Sequence, residues 1–182
     1  EVICAFGRLG AMFASDVFDL KPDMMTLAKG LTSGYIPMSG AVISDAVWEV
    51  LRNASNDYGM LAHGFTYTGH PVAAAAGLES LAIIEDEGLV DQAARVGSYL
   101  QREVCAEHPL VGQVRGLGLI LGIEVIADKD ARKPFDPKHT AARKVHARLM
   151  EAGVVVRPIV NTIAMAPPLV FTEADVDHVV DK

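Results

Sequence analysis

The chain has 182 residues, 51% of them hydrophobic, and a formal net charge of -7. That is apolar material enough for a core, and the acidic balance argues against a nucleic-acid partner, whose phosphates call for a basic face. No apolar run reaches the ~18 residues of a membrane span, since Glu79 interrupts the longest stretch, Pro71–Ile84.

Cys4 and Cys105 are too few and too far apart in sequence for a disulfide framework. The expectation is a cytoplasmic protein with reduced thiols and no membrane partner.

In chain order, Glu1–Phe6 reads as a short apolar strand, opening without an initiator Met, and Gly7–Gly10 as a turn. Lys21-Pro22-Asp23 leads into a second apolar strand, Met24–Ala28, and then into Lys29–Gly34, a loop of small residues. Gly40–Ser44 reads as another buried strand and Asp45–Arg52 as a short helix with Ser44 at its N-cap. Asn53–Gly69 reads as loop. Pro71–Glu87 predicts a long helix, with Pro71 in the first turn where proline is tolerated and Ala73–Ala76 allowing close packing. Val90, Ala93, Val96, Leu100 and Val104 recur at helical spacing and predict an amphipathic helix over Leu89–Glu107.

Further on, Val114–Ile126 reads as a strand pair or one long strand, and Asp128–Pro137 as a charged loop. Thr140–Ala152 predicts a helix stopped by Gly153. Val154–Arg157 and Ile163–Ala166 read as short strands, and Glu173–Lys182 as a helix begun by Thr172. The order is α/β first and a smaller α+β unit second, divided into residues 1–75 and 76–182. Both ends read as cut, so the expectation is a piece of a longer enzyme.

Lys29 is the first candidate for chemistry. It stands at the expected carboxyl end of a parallel strand, where the ligands of open α/β sheets gather. An amine partly desolvated there becomes nucleophilic, which is what a Schiff-base lysine requires. Its position alone does not separate it from an ordinary surface lysine.

The flanking residues do. Pro22-Asp23-Met24-Met25-Thr26-Leu27-Ala28-Lys29-Gly30-Leu31-Thr32-Ser33-Gly34-Tyr35 closely resembles the lysine segment of class III pyridoxal-phosphate-dependent aminotransferases. Four further segments resemble the same family in the same order: Glu1–Arg8, His63–Ala73, Val114–Gly118 with Leu121–Glu124, and Val156-Arg157-Pro158 followed by Ala166–Leu169. The resemblance implies a fold type I pyridoxal-phosphate enzyme: part of the large α/β domain, then a small C-terminal α+β domain.

It implies roles as well. Lys29 would form the Schiff base with pyridoxal 5'-phosphate. Thr66, with Phe65 beside it, would bind the cofactor phosphate from the neighbouring subunit of a homodimer or a dimer of dimers. A hydroxyl and adjacent N–H groups in a Gly-flanked turn can donate to phosphate, although a threonine there serves equally as a turn cap. Val2 would pack on the pyridine ring, a role that predicts the same burial as a plain core valine. The family's aspartate for the pyridine nitrogen would lie immediately before Glu1.

Arg157 follows three valines and precedes Pro158. Its planar guanidinium can grip a substrate carboxylate through two parallel hydrogen bonds; the other reading is a structural ion pair. Ala5, Leu9 and Ile3 stand where many relatives carry Gly, Thr and Gln, and Ile3 resembles the ω-amino-acid–pyruvate (ω-transaminase) branch. The implied reaction is transamination between an amine or ω-amino acid and a 2-oxo acid, with pyruvate expected as acceptor. A glutamate-semialdehyde aminomutase-like isomerase and a catalytically silent pyridoxal-phosphate-fold binding protein are the alternatives.

Other signals are weak. Gly116-Leu117-Gly118 with Gly122 has the wrong spacing for a dinucleotide fingerprint and continues as strand. His139 and His146 lack partner ligands for a metal.

Overall fold

The computed structural model describes residues 1–104 and 106–182. They form two compact units, Glu1–Phe6 with Ala11–Gly88 and Gly7–Gly10 with Leu89–Lys182. The units divide after Gly88, where the sequence reading set the division at 75/76.

In the first unit Glu1–Phe6 is turn rather than the expected strand. Ala5 N–H donates to the Glu1 carbonyl at 3.1 Å, and Phe6 takes a φ of +62°. An apolar run suits either state, and the Glu1 carboxylate decides between them. It accepts from the N–H groups of Ala14 (3.0 Å) and Ser15 (2.7 Å), which open the short helix α1 (Ala14–Val17). Burial pushes the Glu1 carboxyl up, but these backbone bonds and the Ser15 hydroxyl hold it below the ordinary carboxylate value.

β1 (Met24–Leu27) pairs with β2 (Gly40–Ile43), Met24 lying opposite Ile43 and Leu27 opposite Gly40. The pairing is antiparallel, and a parallel partner for the strand before Lys29 is not among the described residues. β2 is largely exposed, not buried.

The helix α2 runs over Asp45–Tyr58, past the expected stop at Arg52 and into the expected loop. Ser44 caps its start, accepting from Val47 N–H at 3.4 Å, and Gly59 at a φ of +83° follows its end. In α3 (Pro71–Asp86), Ala73, Gly77, Ser80 and Ile84 recur every three or four residues and form one buried face.

The second unit is a helix-covered antiparallel sheet. α4 (Leu89–Glu103) buries Ala93, Val96 and Leu100, as the spacing predicts, together with Leu89 and Gly97, while Val90, expected on this face, is half-buried. Its expected extension to Glu107 includes Cys105, which lies outside the described residues. β3 (Val111–Leu117) and β4 (Ile120–Asp128) form a hairpin, which settles the choice between a pair and one long strand.

β5 (Lys133–Pro134) pairs with β4 inside the segment expected to be loop. The helix α5 (Ala141–Glu151) follows, with Thr140 in the left-handed region and no side-chain cap. β6 (Arg157–Ile159) starts three residues later than expected, although Val154 and Val156 are buried in the core. β7 (Thr162–Met165) completes the order β3-β4-β7-β6, and α6 (Glu173–Val180) follows behind a Thr172–Asp175 capping box.

Val96, Leu100, Leu119, Leu121 and Val176 are the largest fully buried side chains of this unit. Glycines let its backbones meet: a Cβ on Gly97 would lie 2.0 Å from the Gly118 carbonyl oxygen, and one on Gly118 2.5 Å from the Leu9 carbonyl carbon. Arg8 ties down the adjoining turn. Its Nη1 donates to the carbonyls of Leu119 (2.8 Å) and Pro167, and burial lowers its pKa.

Candidate functional site

Lys29 follows β1 directly and opens a short 3-10 turn, Lys29–Thr32. Its side chain is exposed, not partly desolvated as expected, because the only strand beside β1 among the described residues is the exposed β2. Its backbone is unusual. Ala28 is extended, Lys29 has a φ of +51°, and Ser33, closing the turn, has +49°. Residues other than glycine seldom occupy this region.

Several groups in the first unit hold the turn. Leu31 N–H donates to the Ala28 carbonyl at 3.2 Å and Ser33 N–H to the Gly30 carbonyl at 3.3 Å. Gly30 lies against the buried Phe6, and a Cβ on it would be 3.2 Å from Phe6 Cβ and 3.6 Å from the Ala5 carbonyl oxygen. The Val2 segment and the Lys29 turn are thus brought together through Ala5 and Phe6. Val2 itself is 37% exposed.

Gly77 and Ser80 of α3 also face the turn. The Ser80 hydroxyl lies 2.9 Å from that of Ser33 and 3.4 Å from the Gly30 carbonyl. Thr32, almost fully buried, donates to the Ile36 carbonyl at 2.7 Å. Ser80, Gly77, Thr32 and Phe6 were not singled out from the sequence. The signal available was one Ser and one Gly, three apart, on the apolar face of a helix that also carries Glu79.

Phe65 and Thr66 belong to an exposed turn of the first unit. Thr68 N–H donates to the Phe65 carbonyl at 2.9 Å, and Phe65 N–H donates to the Thr68 hydroxyl at 2.9 Å. The cap of this turn is therefore Thr68. Among the described residues the Thr66 hydroxyl has no hydrogen-bond partner, which removes the plain capping role considered for it. The Phe65 ring is 77% exposed and meets His63 edge-on at 5.6 Å.

Arg157 lies in the second unit, at the first position of β6 and opposite Ala164 of β7. It is exposed. Among the described residues its guanidinium has neither an ion-pair nor a hydrogen-bond partner.

Surface concavities of about 670 Å³ beside Lys144 and Arg148, and of about 310 Å³ beside Phe135 and His139, contain none of these candidates. The described residues hold no group of His, Cys, Asp and Glu placed to bind a metal ion. No helix among them is long and apolar enough to cross a membrane.

The family described as aminotransferase class-III matches residues 1–182, the whole chain. Among curated proteins, a diaminobutyrate–2-oxoglutarate transaminase of Halomonas elongata is 45% identical, matching 100% of this chain and 40% of its own length. A putrescine–pyruvate aminotransferase of Pseudomonas aeruginosa is 40% identical over 99% of this chain and 39% of its own length. Among solved structures, the ω-transaminase of Pseudomonas jessenii in complex with PMP superposes with a TM-score of 0.95 at 42% identity, over 100% of this chain and 40% of that one. The chain therefore spans about two fifths of the length of these relatives. Its fold is part of that of a fold type I transaminase. With its full length matched, this chain belongs to the class-III aminotransferase family.

Proposed function

We propose that the protein to which these residues contribute transfers an amino group between an amine or ω-amino acid and a 2-oxo acid, with Lys29 as its central residue. One observation carries the reading: a lysine held at a φ of +51°, in a turn tied to Phe6 and to Ser80, within the family's lysine segment. Backbone strain of this kind persists where surrounding structure imposes it, and it gathers at functional sites.

Pyridoxal 5'-phosphate is the cofactor that the family and these residues support. The donor set suits it: a primary amine on Lys29 for its aldehyde, and a Thr66 hydroxyl free of internal partners for its phosphate. When bound, the cofactor supplies an electron sink for the carbon that loses its proton. Lys29 Nζ would hold the cofactor and act as the base that takes a proton from the donor carbon and returns one to the acceptor carbon. Phe65 and Val2 offer apolar surface for an aromatic ring. Thr66 would serve the site of a second copy of the chain, as in a homodimer, and its exposure fits that use.

Arg157 would bind the acceptor carboxylate, its guanidinium being uncommitted. For the acceptor itself we favour pyruvate over 2-oxoglutarate from Ile3, since Arg157 suits the carboxylate of either; the relatives named above include one protein of each kind.

The test is turnover of the full-length enzyme with an ω-amine donor. Pyruvate consumed one-for-one with alanine formed supports the reading. Glutamate formed from 2-oxoglutarate instead would move the acceptor. Isomerisation of an amino aldehyde with no 2-oxo acid consumed would favour the aminomutase alternative.

A further inference from the structure

The left-handed backbone at Lys29 would suit a glycine, yet a side chain is required there, so neighbouring groups must hold it. The groups that do so meet at one hydroxyl. Ser80 is 7% exposed, in the middle of α3 and one turn from Gly77. A Cβ on Gly77 would lie 3.6 Å from the Leu31 carbonyl oxygen, so this face of α3 rests on the Lys29 turn itself.

A buried hydroxyl is unfavourable without a partner, and a helical serine commonly bonds back to its own helix. Ser80 bonds outward. Its O–H donates to the Gly30 carbonyl at 3.4 Å, leaving its oxygen to accept from the Ser33 hydroxyl at 2.9 Å. This chain of two bonds joins the residue after Lys29 to the residue that closes the turn. Gly30 also packs close to Phe6, since a Cβ on it would lie 3.2 Å from Phe6 Cβ.

We infer that Ser80 is a positioning residue for the proposed reaction: with Ser33 it clamps the Lys29–Ser33 turn and so fixes the direction in which the Lys29 amine leaves the backbone. The inference rests on the role proposed for Lys29. Ser80 touches no reacting atom and acts through that residue.

The experiment uses the full-length enzyme. Ser80→Ala should slow the half-reaction with the amine donor about tenfold, since small misplacements of a reacting group are costly, while the Michaelis constant for the donor stays within about twofold of wild type. In the cofactor-free protein, amide hydrogen exchange should quicken at Leu31 and Ser33, whose N–H groups close the turn, and stay unchanged along α3. Ser80→Thr keeps the hydroxyl and should restore both readouts. If Ser80→Ala does not fold, Ser33→Ala removes the other hydroxyl from an exposed position and carries the same expectations.

Wild-type turnover and wild-type exchange in Ser80→Ala would overturn the inference. So would faster exchange throughout α3 with rate and Michaelis constant lost together and no rescue by Thr. Borohydride fixation of the cofactor separates the two readings. An adduct that persists in Lys29→Ala removes the role of Lys29 itself. An adduct that is lost there, beside an inert Ser80→Ala, removes only the clamp.

Discussion

Replacing Arg157 with alanine separates a substrate-binding role from a structural one, and the structure sets the size of each effect. The side chain is exposed at the start of β6, and among the described residues it has no ion-pair or hydrogen-bond partner. Surface changes away from such partners alter stability by no more than about 0.5 kcal/mol. A structural ion-pair role would require a partner that the second unit does not provide among those residues.

A carboxylate gripped by this guanidinium in a closed site would lose much more. Truncating one partner of a desolvated charge pair costs about 2–5 kcal/mol. At about 1.4 kcal/mol per tenfold, kcat/KM for pyruvate should fall by about thirtyfold to several thousandfold. A simple amine donor has no carboxylate to lose, so its half-reaction should change by less than about threefold on the same scale. Single-turnover absorbance measurements of each half-reaction, with thermal melts of the same samples, make the comparison. Equal losses in both half-reactions, together with a lowered melting temperature, would refute the reasoning. Arg157→Lys keeps the charge without the planar fork, so only partial recovery of pyruvate use is expected.

Two further outcomes test the fold that carries these residues. Gly97→Ala places a Cβ 2.0 Å from a backbone oxygen; overpacking at the upper end of about 1–3 kcal/mol, less about 1 kcal/mol of helix propensity, should destabilise the chain by about 2 kcal/mol in urea. Ser98→Ala, exposed on the same turn of α4, should stay within about 0.5 kcal/mol, and a neutral Gly97→Ala would contradict the close approach. Thr172→Ala should cost about 1 kcal/mol as the lost cap of α6. The Asp175 carboxyl is held below its ordinary value, first by the Thr172 side chain and then by its backbone N–H. That stabilisation is complete above the ordinary aspartate pKa and fades as the pH falls through the lowered one, so the gap between wild type and Thr172→Ala should narrow in acid without closing, because the bond from Asp175 N–H to the Thr172 hydroxyl does not titrate; a gap independent of pH would count against the carboxylate half of the capping box.

Much of the second unit was legible because its signals are periodic. Ala93, Val96 and Leu100 announce the buried face of α4, and Thr172 announces the start of α6. The first unit was less so. Glu1–Phe6 is apolar enough for a strand, and what makes it a turn is a carboxylate reaching Ala14 and Ser15, a contact between distant positions that no local pattern contains. Lys29 was found through its neighbours in sequence, but its left-handed backbone was not, because nothing in Ala28-Lys29-Gly30 separates it from an ordinary strand end. Thr66 and Thr68 looked alike as turn residues, and only the bond from Phe65 N–H to Thr68 assigns the cap. Ser80, beside Glu79 in an alanine-rich helix, carries no local signal, since its importance lies in what it meets across the fold.

The most direct measurement of the central claim is the location of the cofactor. The full-length enzyme with pyridoxal 5'-phosphate is reduced with borohydride, digested and mapped by mass spectrometry. The expected result is one fixed adduct, on Lys29, absent from Lys29→Ala together with transamination. An adduct on another lysine, such as Lys21 at the entrance to β1, or transamination that survives in Lys29→Ala, would contradict the account.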